Sequence, residues 1–245
     1  QRGMGRLAEV PQIVETLCAV LGRRGDLAGK RVVVSAGGTQ EPIDPVRVIT
    51  NRSSGKMGYA LAQAARDRGA QVTLVAAPTA LPDPACVEMR HVTTVADMRE
   101  AVLSACAGAD VLIMAAAVSD YRPARVAAQK IKKREGEEEE GLLLHLVKNP
   151  DFFLEVPEGV LRVGFAAESE DLLANARVKL EGKGMALIAA NDITAPDSGF
   201  NVDTNKVFLL DRKGGVEELP LLSKYEVGHR ILDRVRELLS GPAPS

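Results

Sequence analysis

Five short apolar runs, at 31–35, 71–76, 110–115, 161–166 and 185–190, constrain this chain more than any other feature. Each is continuous rather than alternating, as expected of strands covered by helices on both faces. Helical spacing fills the gaps over 54–68, 96–107 and 170–183, and Gly69 and Gly108 stand where a left-handed residue ends the first two of these helices. The fold class that follows is α/β, a three-layer, doubly wound, mostly parallel Rossmann-like sheet. Two segments interrupt the alternation. Residues 130–133 and 142–148 flank the acidic tip 137–140 and predict a two-stranded arm within about 124–148, while 207–210 and 216–219 flank Lys213-Gly214-Gly215 and predict a terminal hairpin. A helix over 12–21 precedes the first strand, a closing helix runs over 223–239, and the tail 242–245 is expected to be disordered. Residues 1–28 read as a linker and the remnant of a preceding domain, and 29–241 as one domain.

The loop over 35–58 is too long and too polar to be a simple connection, since strand-to-helix links usually take about 2 to 6 residues. It delivers Arg47, Asn51, Ser53, Ser54 and Gly55 to a helix N-terminus, where backbone N–H groups and the dipole favour an anion. It is not a Walker A loop, because Gly55-Lys56 is followed by Met57 and no hydroxyl follows to reach a metal. Nor is it a dinucleotide fingerprint, since the second strand runs into Ala76-Ala77-Pro78 with no acid for a ribose. Either serine alone would read as a helix cap. The whole constellation reads as a site.

Composition removes other classes of function. A net charge of -2 gives no field for nucleic acid, and with 3% aromatic residues there is little surface on which bases could stack. Cys18, Cys86 and Cys106 are odd in number and widely spaced, which suggests neither a disulfide framework nor a zinc site, and points to a reducing cytoplasm. No apolar run reaches the roughly 20 residues of a membrane span. His91, His145 and His229 show no metal-ligand spacing, and no Gly-x-Ser-x-Gly elbow occurs. With no evident side-chain nucleophile, the chemistry left is the positioning of substrates and the neutralising of charge.

Ligands of an open parallel sheet bind beyond the carboxyl ends of the strands, where strand order reverses. Small residues at Ala115–Ala117 let a ligand approach the backbone, and Asp120 offers a carboxylate to a metal or ribose. Lys130 stands at the root of the arm, and Lys179 and Lys183 are spaced to face one anion from one helix. Several lysines converging on a triphosphate would stabilise charge during its transfer, although two helical lysines taken alone are a solvated face.

Gly37 to Arg47, Asn51 to Gly58, Ala115 to Pro123, Lys130 to Lys133, Asn149-Pro150-Asp151 and Gly164 to Glu168 together resemble, in order, the signatures of the phosphopantothenate-cysteine ligase family of coenzyme A biosynthesis. Ser119 and Phe152-Phe153 are mild departures from that pattern. The resemblance implies a cytoplasmic enzyme that uses CTP to convert 4'-phosphopantothenate into an acyl cytidylate with loss of pyrophosphate. L-cysteine then displaces CMP. By similarity Asn51, Lys130 and Arg47 are catalytic, and Ala116, Asp120, Asn149, Pro150, Asp151, Phe152, Phe165, Lys130, Lys179 and Lys183 hold CTP, with Asp120 on Mg2+. Gly38, Arg47, Asn51, Ser53, Ser54, Gly55 and Ala117 face the acid substrate. The resemblance also implies a homodimer with shared sites, and 5–11 looks like the end of a fused flavin-dependent decarboxylase. A dehydrogenase on a similar sheet and a non-catalytic nucleotide-binding scaffold are the alternatives. The first lacks a Tyr-x-x-x-Lys pair.

Overall fold

The computed structural model describes residues 8–132, 141–168, 170–192 and 202–241. Helix α1 (Val10–Gly22) precedes β1 (Arg31–Ala36), and the long loop after β1 contains a small hairpin of β2 (Gln40–Pro42) and β3 (Val48–Thr50). Helix α2 (Lys56–Asp67), β4 (Gln71–Ala76), β5 (Glu88–His91), α3 (Val95–Cys106) and β6 (Val111–Met114) follow. A second small pair, β7 (Tyr121–Pro123) with β8 (Leu146–Lys148), leads to β9 (Leu161–Glu168), α4 (Leu172–Gly182) and β10 (Leu187–Asp192). The chain then passes through β11 (Thr204–Asn205), β12 (Val207–Asp211), β13 (Val216–Glu218) and β14 (Leu222–Ser223) into α5 (Lys224–Ser240).

The central sheet has eight strands in the order β13-β12-β10-β9-β6-β1-β4-β5. Strands from β10 to β5 are all parallel to their neighbours, and the hairpin β12–β13 extends the sheet antiparallel to β10. From β1 the chain moves outward to β4 and β5, then returns to β6 on the other side of β1. Strand order therefore reverses between β1 and β6, as a doubly wound sheet requires. Burial follows the pleat. Val32 and Val34 of β1 pack in one core with α2 and α5, while Val33 packs in another with α3. Farther along, Leu187 and Ala189 of β10 face the α2/α5 core, whereas Ile188 and Ala190 join Ala176 and Leu180 of α4. Helices α2 and α5 thus cover one face and α3 and α4 the other. Burying a leucine such as Leu61, which is fully enclosed, stabilises the fold by about 1.5–3 kcal/mol.

The structure revises several expectations. Among the described residues, 130–132 form no ladder with 142–148; the observed ladder joins Tyr121–Pro123 to Leu146–Lys148. The reason is local. The Ile131 N–H donates to the Asp44 carboxylate (3.1 Å) and its carbonyl accepts from Arg47 (2.7 Å), so both backbone groups are engaged outside any ladder. Lys133, the acidic tip and the tail lie outside the described residues. Helix α2 begins at Lys56 rather than 54, with Gly55 in the left-handed region at φ 76° as its N-cap. The Ser53 and Ser54 hydroxyls accept from the Gly55 and Lys56 amides at 3.4 and 3.5 Å. Strand β5 was not expected, because Glu-Met-Arg-His at a sheet edge carries no apolar run. Residues 8–28 lie against α2, with the Glu15 carboxylate bridging the Ala85 amide (2.7 Å) and the Arg66 guanidinium (3.3 Å).

Gly58, one turn into α2, fixes how closely that helix sits over β1. A Cβ there would meet the Ala36 Cβ at 2.5 Å and the Ser35 carbonyl at 2.7 Å. Gly58→Ala gains about 1 kcal/mol of helix propensity but forces α2 off the strand, an overpacking cost of about 1–3 kcal/mol. Net destabilisation is expected, read as a lower urea midpoint; an unchanged or raised midpoint would show that the contact yields cheaply.

Candidate active site

The loops after β1 and β6 leave the sheet at the reversal point and are laced to each other. Gly38 and Ala117 form a parallel bridge, the Ala117 amide donates to the Gly37 carbonyl at 2.8 Å, and the Thr39 hydroxyl accepts from the Ser119 amide at 2.9 Å. Beneath them the buried Ser35 hydroxyl accepts from the Ala116 amide at 3.1 Å. Asn51 is fixed against this seam by donating through Nδ2 to the Val118 carbonyl at 3.1 Å. Gly38 lies under Asn51, where a Cβ would stand 2.6 Å from the Asn51 carbonyl oxygen. Asn149 joins from beyond β8, donating to the Ser119 carbonyl at 2.9 Å and accepting from Arg122 at 2.9 Å.

Above the seam lies a cavity of about 550 Å3. Its floor comes from the β6 loop, including Ala116, Ala117 and Asp120, and its near wall from Asn51, Ser53, Ser54 and Gly55. Asn149, Pro150, Asp151 and Phe152 form a third side, and Phe165, Lys179 and Lys183 a fourth. Lys183 is paired with Asp151 at 2.9 Å, both partly exposed, an ion pair at the mouth of the cavity. Four segments far apart in sequence therefore meet at one rim. Gly38, Arg47 and Lys130 do not line the cavity of this chain.

Asp44 accounts for Arg47. Its side chain is fully enclosed and accepts from Arg47 Nε (2.9 Å) and Nη2 (2.6 Å), from the Val46 and Arg47 amides (2.9 and 2.8 Å) and from the Ile131 amide. The Arg47 guanidinium, helped by these amides, holds the Asp44 carboxyl far below the usual carboxylate range despite its burial. Asp44 thus gathers Arg47 and the residue after Lys130 at one point. Glu41, also buried, accepts from the Val95 amide at 2.8 Å and caps α3. Neither acid has a lining role.

The cavity also has lining residues that the sequence reading missed: Lys56, Asn191, Asn205 and Lys224. Asn191 was recoverable from the rule that sites follow strand ends, since it stands near the end of β10. Lys224 follows the Ser223 N-cap of a capping box completed by Glu226. That pattern marks a helix start but gives no sign that the start faces a cavity.

Among the described residues no group of three or more His, Cys, Asp or Glu side chains could hold a metal, and no helix is long and apolar enough to cross a membrane. The fold and site define an α/β protein whose ligand pocket lies at the reversal point of a doubly wound sheet. More narrowly, residues 27–239 match the DNA/pantothenate metabolism flavoprotein C-terminal domain, and the chain belongs to that family. It is 43% identical over 97% of its length to a protein of Vibrio vulnificus (strain YJ016) named coenzyme A biosynthesis bifunctional protein CoaBC, of which it spans 59%. The protein of that name from Bacillus subtilis (strain 168) is likewise 43% identical over 96% of this chain, which spans 59% of it. The crystal structure of a CoaBC C-terminal domain superposes with a TM-score of 0.74 at 39% identity, covering 88% of this chain and 98% of that one.

Because the Asp44 carboxyl is held below its unfolded value of about 3.9, it stabilises the fold above that pH, and the contribution is lost as the pH falls toward the folded-state value. Asp44→Asn should be less stable than the native chain at neutral pH, with the gap narrowing from about pH 5 to pH 2. Urea unfolding across that range tests this, and a gap independent of pH would remove the charge from the explanation.

Proposed function

We propose that this chain is the ligase that joins 4'-phosphopantothenate to L-cysteine at the expense of CTP. The observation that carries the reading is the convergence of Asn51, Asp120, Lys179 and Lys183 on one cavity at the reversal point of the sheet. Family membership and the names of the relatives support it, as does a cavity within the range of about 300–1,000 Å3 usual for small-molecule sites. In the first step the carboxylate oxygen of the acid attacks the α-phosphorus of CTP, a P–O bond forms, and pyrophosphate leaves with the electron pair. In the second, the cysteine amine attacks the acyl carbon, CMP departs, and the amide loses a proton.

Lys179 and Lys183 would neutralise the phosphate tail, and Asn149 to Phe152 with Phe165 would flank the nucleoside. Asp120 and Asp151 on the rim suit Mg2+, a cation often bound by one or two carboxylates together with substrate phosphates. When bound, Mg2+ would neutralise charge on the triphosphate. Arg47 and Lys130, joined through Asp44 away from this chain's own cavity, would serve the site of a second copy in a homodimer. The free cysteines Cys18, Cys86 and Cys106 agree with work in a reducing cytoplasm. A fused decarboxylase in the parent protein agrees with relatives longer than this chain.

Asn51 would donate to the acyl oxygen as charge builds during amine attack. Asn51→Asp places a carboxylate against that charge, and loss of such a donor costs about 10²–10³-fold. Rapid quench with CTP, phosphopantothenate, Mg2+ and cysteine should show cysteine capture slowed more than pyrophosphate release. Equal slowing of both steps would reject the role, and no pyrophosphate from the unsubstituted chain would leave the scaffold alternative standing.

A further inference from the structure

Thr39 is fully buried in the seam, does not line the cavity, and holds Asn51 at both ends. Its carbonyl accepts from the Thr50 hydroxyl at 2.9 Å, which fixes the residue immediately before Asn51 and so the direction in which the backbone delivers it. Its hydroxyl accepts from the Ser119 amide at 2.9 Å. That amide and the Val118 carbonyl belong to one planar trans peptide, whose N–H and C=O point in opposite directions. The carbonyl end accepts from Asn51 Nδ2 at 3.1 Å. A single peptide therefore stands between the Thr39 hydroxyl and the Asn51 carboxamide, and turning it at one end turns it at the other.

The orientation of the carboxamide follows from its partner. A carbonyl can only accept, so the Asn51 nitrogen faces Val118 and Oδ1 faces away. One Nδ2 hydrogen is spent on that bond. The other hydrogen and Oδ1 are what the side chain can offer to the cavity that Asn51 lines. The peptides on either side are also tied, since the Ala117 amide donates to the Gly37 carbonyl at 2.8 Å and the Asn149 carboxamide to the Ser119 carbonyl at 2.9 Å. The groups assigned to the nucleotide on α4 and β9 stand outside this line of bonds.

Resting on the ligase reading, in which Asn51 serves the acyl oxygen during amine attack, we propose that Thr39 is a positioning residue for the second step. It acts through the 118–119 peptide on the Asn51 carboxamide, with the Thr50 hydroxyl as its second hold. In the first step the new bond forms at phosphorus, which Asn51 does not serve. In the second, charge gathers on the acyl oxygen as the C–N bond forms, and a donor turned off that line loses most of its effect. The Thr39 hydroxyl thus governs cysteine capture and leaves nucleotidyl transfer alone.

Rapid quench of the complete chain with CTP, phosphopantothenate, Mg2+ and cysteine reads the two steps separately. Thr39→Val keeps the shape and deletes the hydroxyl; it should slow cysteine capture about tenfold or more, as misalignment of a reacting group implies, while pyrophosphate release stays near the native rate. Thr39→Ser keeps the hydroxyl and should restore capture. In an Asn51→Ala background Thr39→Val should add no further slowing, because residues that act through one another do not contribute independently. A merely structural threonine would slow both steps together and would add its own loss in that background. Either result overturns the inference, as does unchanged capture in Thr39→Val. The valine leaves the buried Ser119 amide without its acceptor, so Thr50→Val, which loosens the other hold, keeps the test open should Thr39→Val fail to fold. It too should slow capture more than release, and equal slowing counts against the inference. A native chain that releases no pyrophosphate fails at the ligase reading instead, and the role of Thr39 falls with it.

Discussion

The seam between the loops after β1 and β6 is the constraint on which the cavity depends. Where two parallel strands part at a reversal of order, their following backbones lose sheet partners, and buried N–H and C=O groups must find others. Thr39 answers most of that need. Its amide donates to the Ala117 carbonyl (3.3 Å), its hydroxyl accepts from the Ser119 amide, and its carbonyl accepts from the Thr50 hydroxyl (2.9 Å). One buried residue thus holds the first loop, the β6 loop and the end of the β2–β3 hairpin, and Asn51 follows that hairpin directly. The placement of Asn51 is therefore a consequence of backbone satisfaction beneath it.

Charge is divided by depth. Buried carboxylates cost several kcal/mol unless hydrogen bonds compensate, and Asp44 and Glu41 are compensated by backbone amides and, for Asp44, a guanidinium. They organise chain direction. Asp120 and Asp151 remain at the exposed rim, where a carboxylate stays solvated and can meet a cation. The cations approach from both helical layers, so an anionic ligand across the strand ends meets positive charge above and below the sheet.

The parallel strands were legible because burial on both faces demands unbroken apolar runs, and β1, β4 and β6 supplied them. Strand β5 was not, since a polar four-residue edge gains its pairing from β4 rather than from its own side chains. The cavity residues after strand ends could be read because position along a strand fixes which rim a loop occupies. Lys56 and Lys224 could not, because a lysine at a helix start is solvated unless a second element covers it, and the element covering Lys224 is the 202–205 segment about twenty residues earlier in sequence. The arm's first strand was read at 130–133 rather than 121–123 for a different reason: the backbone of Ile131 is claimed by a carboxylate 87 residues away.

That long-range claim has a mechanical consequence. Arg47 is held by Asp44 and also donates to the Ile131 carbonyl, so the root of the arm and the loop ahead of Asn51 share one closed set of hydrogen bonds. The Ala127 amide, donating to the Ile43 carbonyl at 3.0 Å, adds a second tie between the same two segments. Shifting the arm root without shifting Arg47 would leave a buried carboxylate short of a donor, a larger cost than moving the two together. Arg47 and the backbone around Lys130 are therefore fixed to one another.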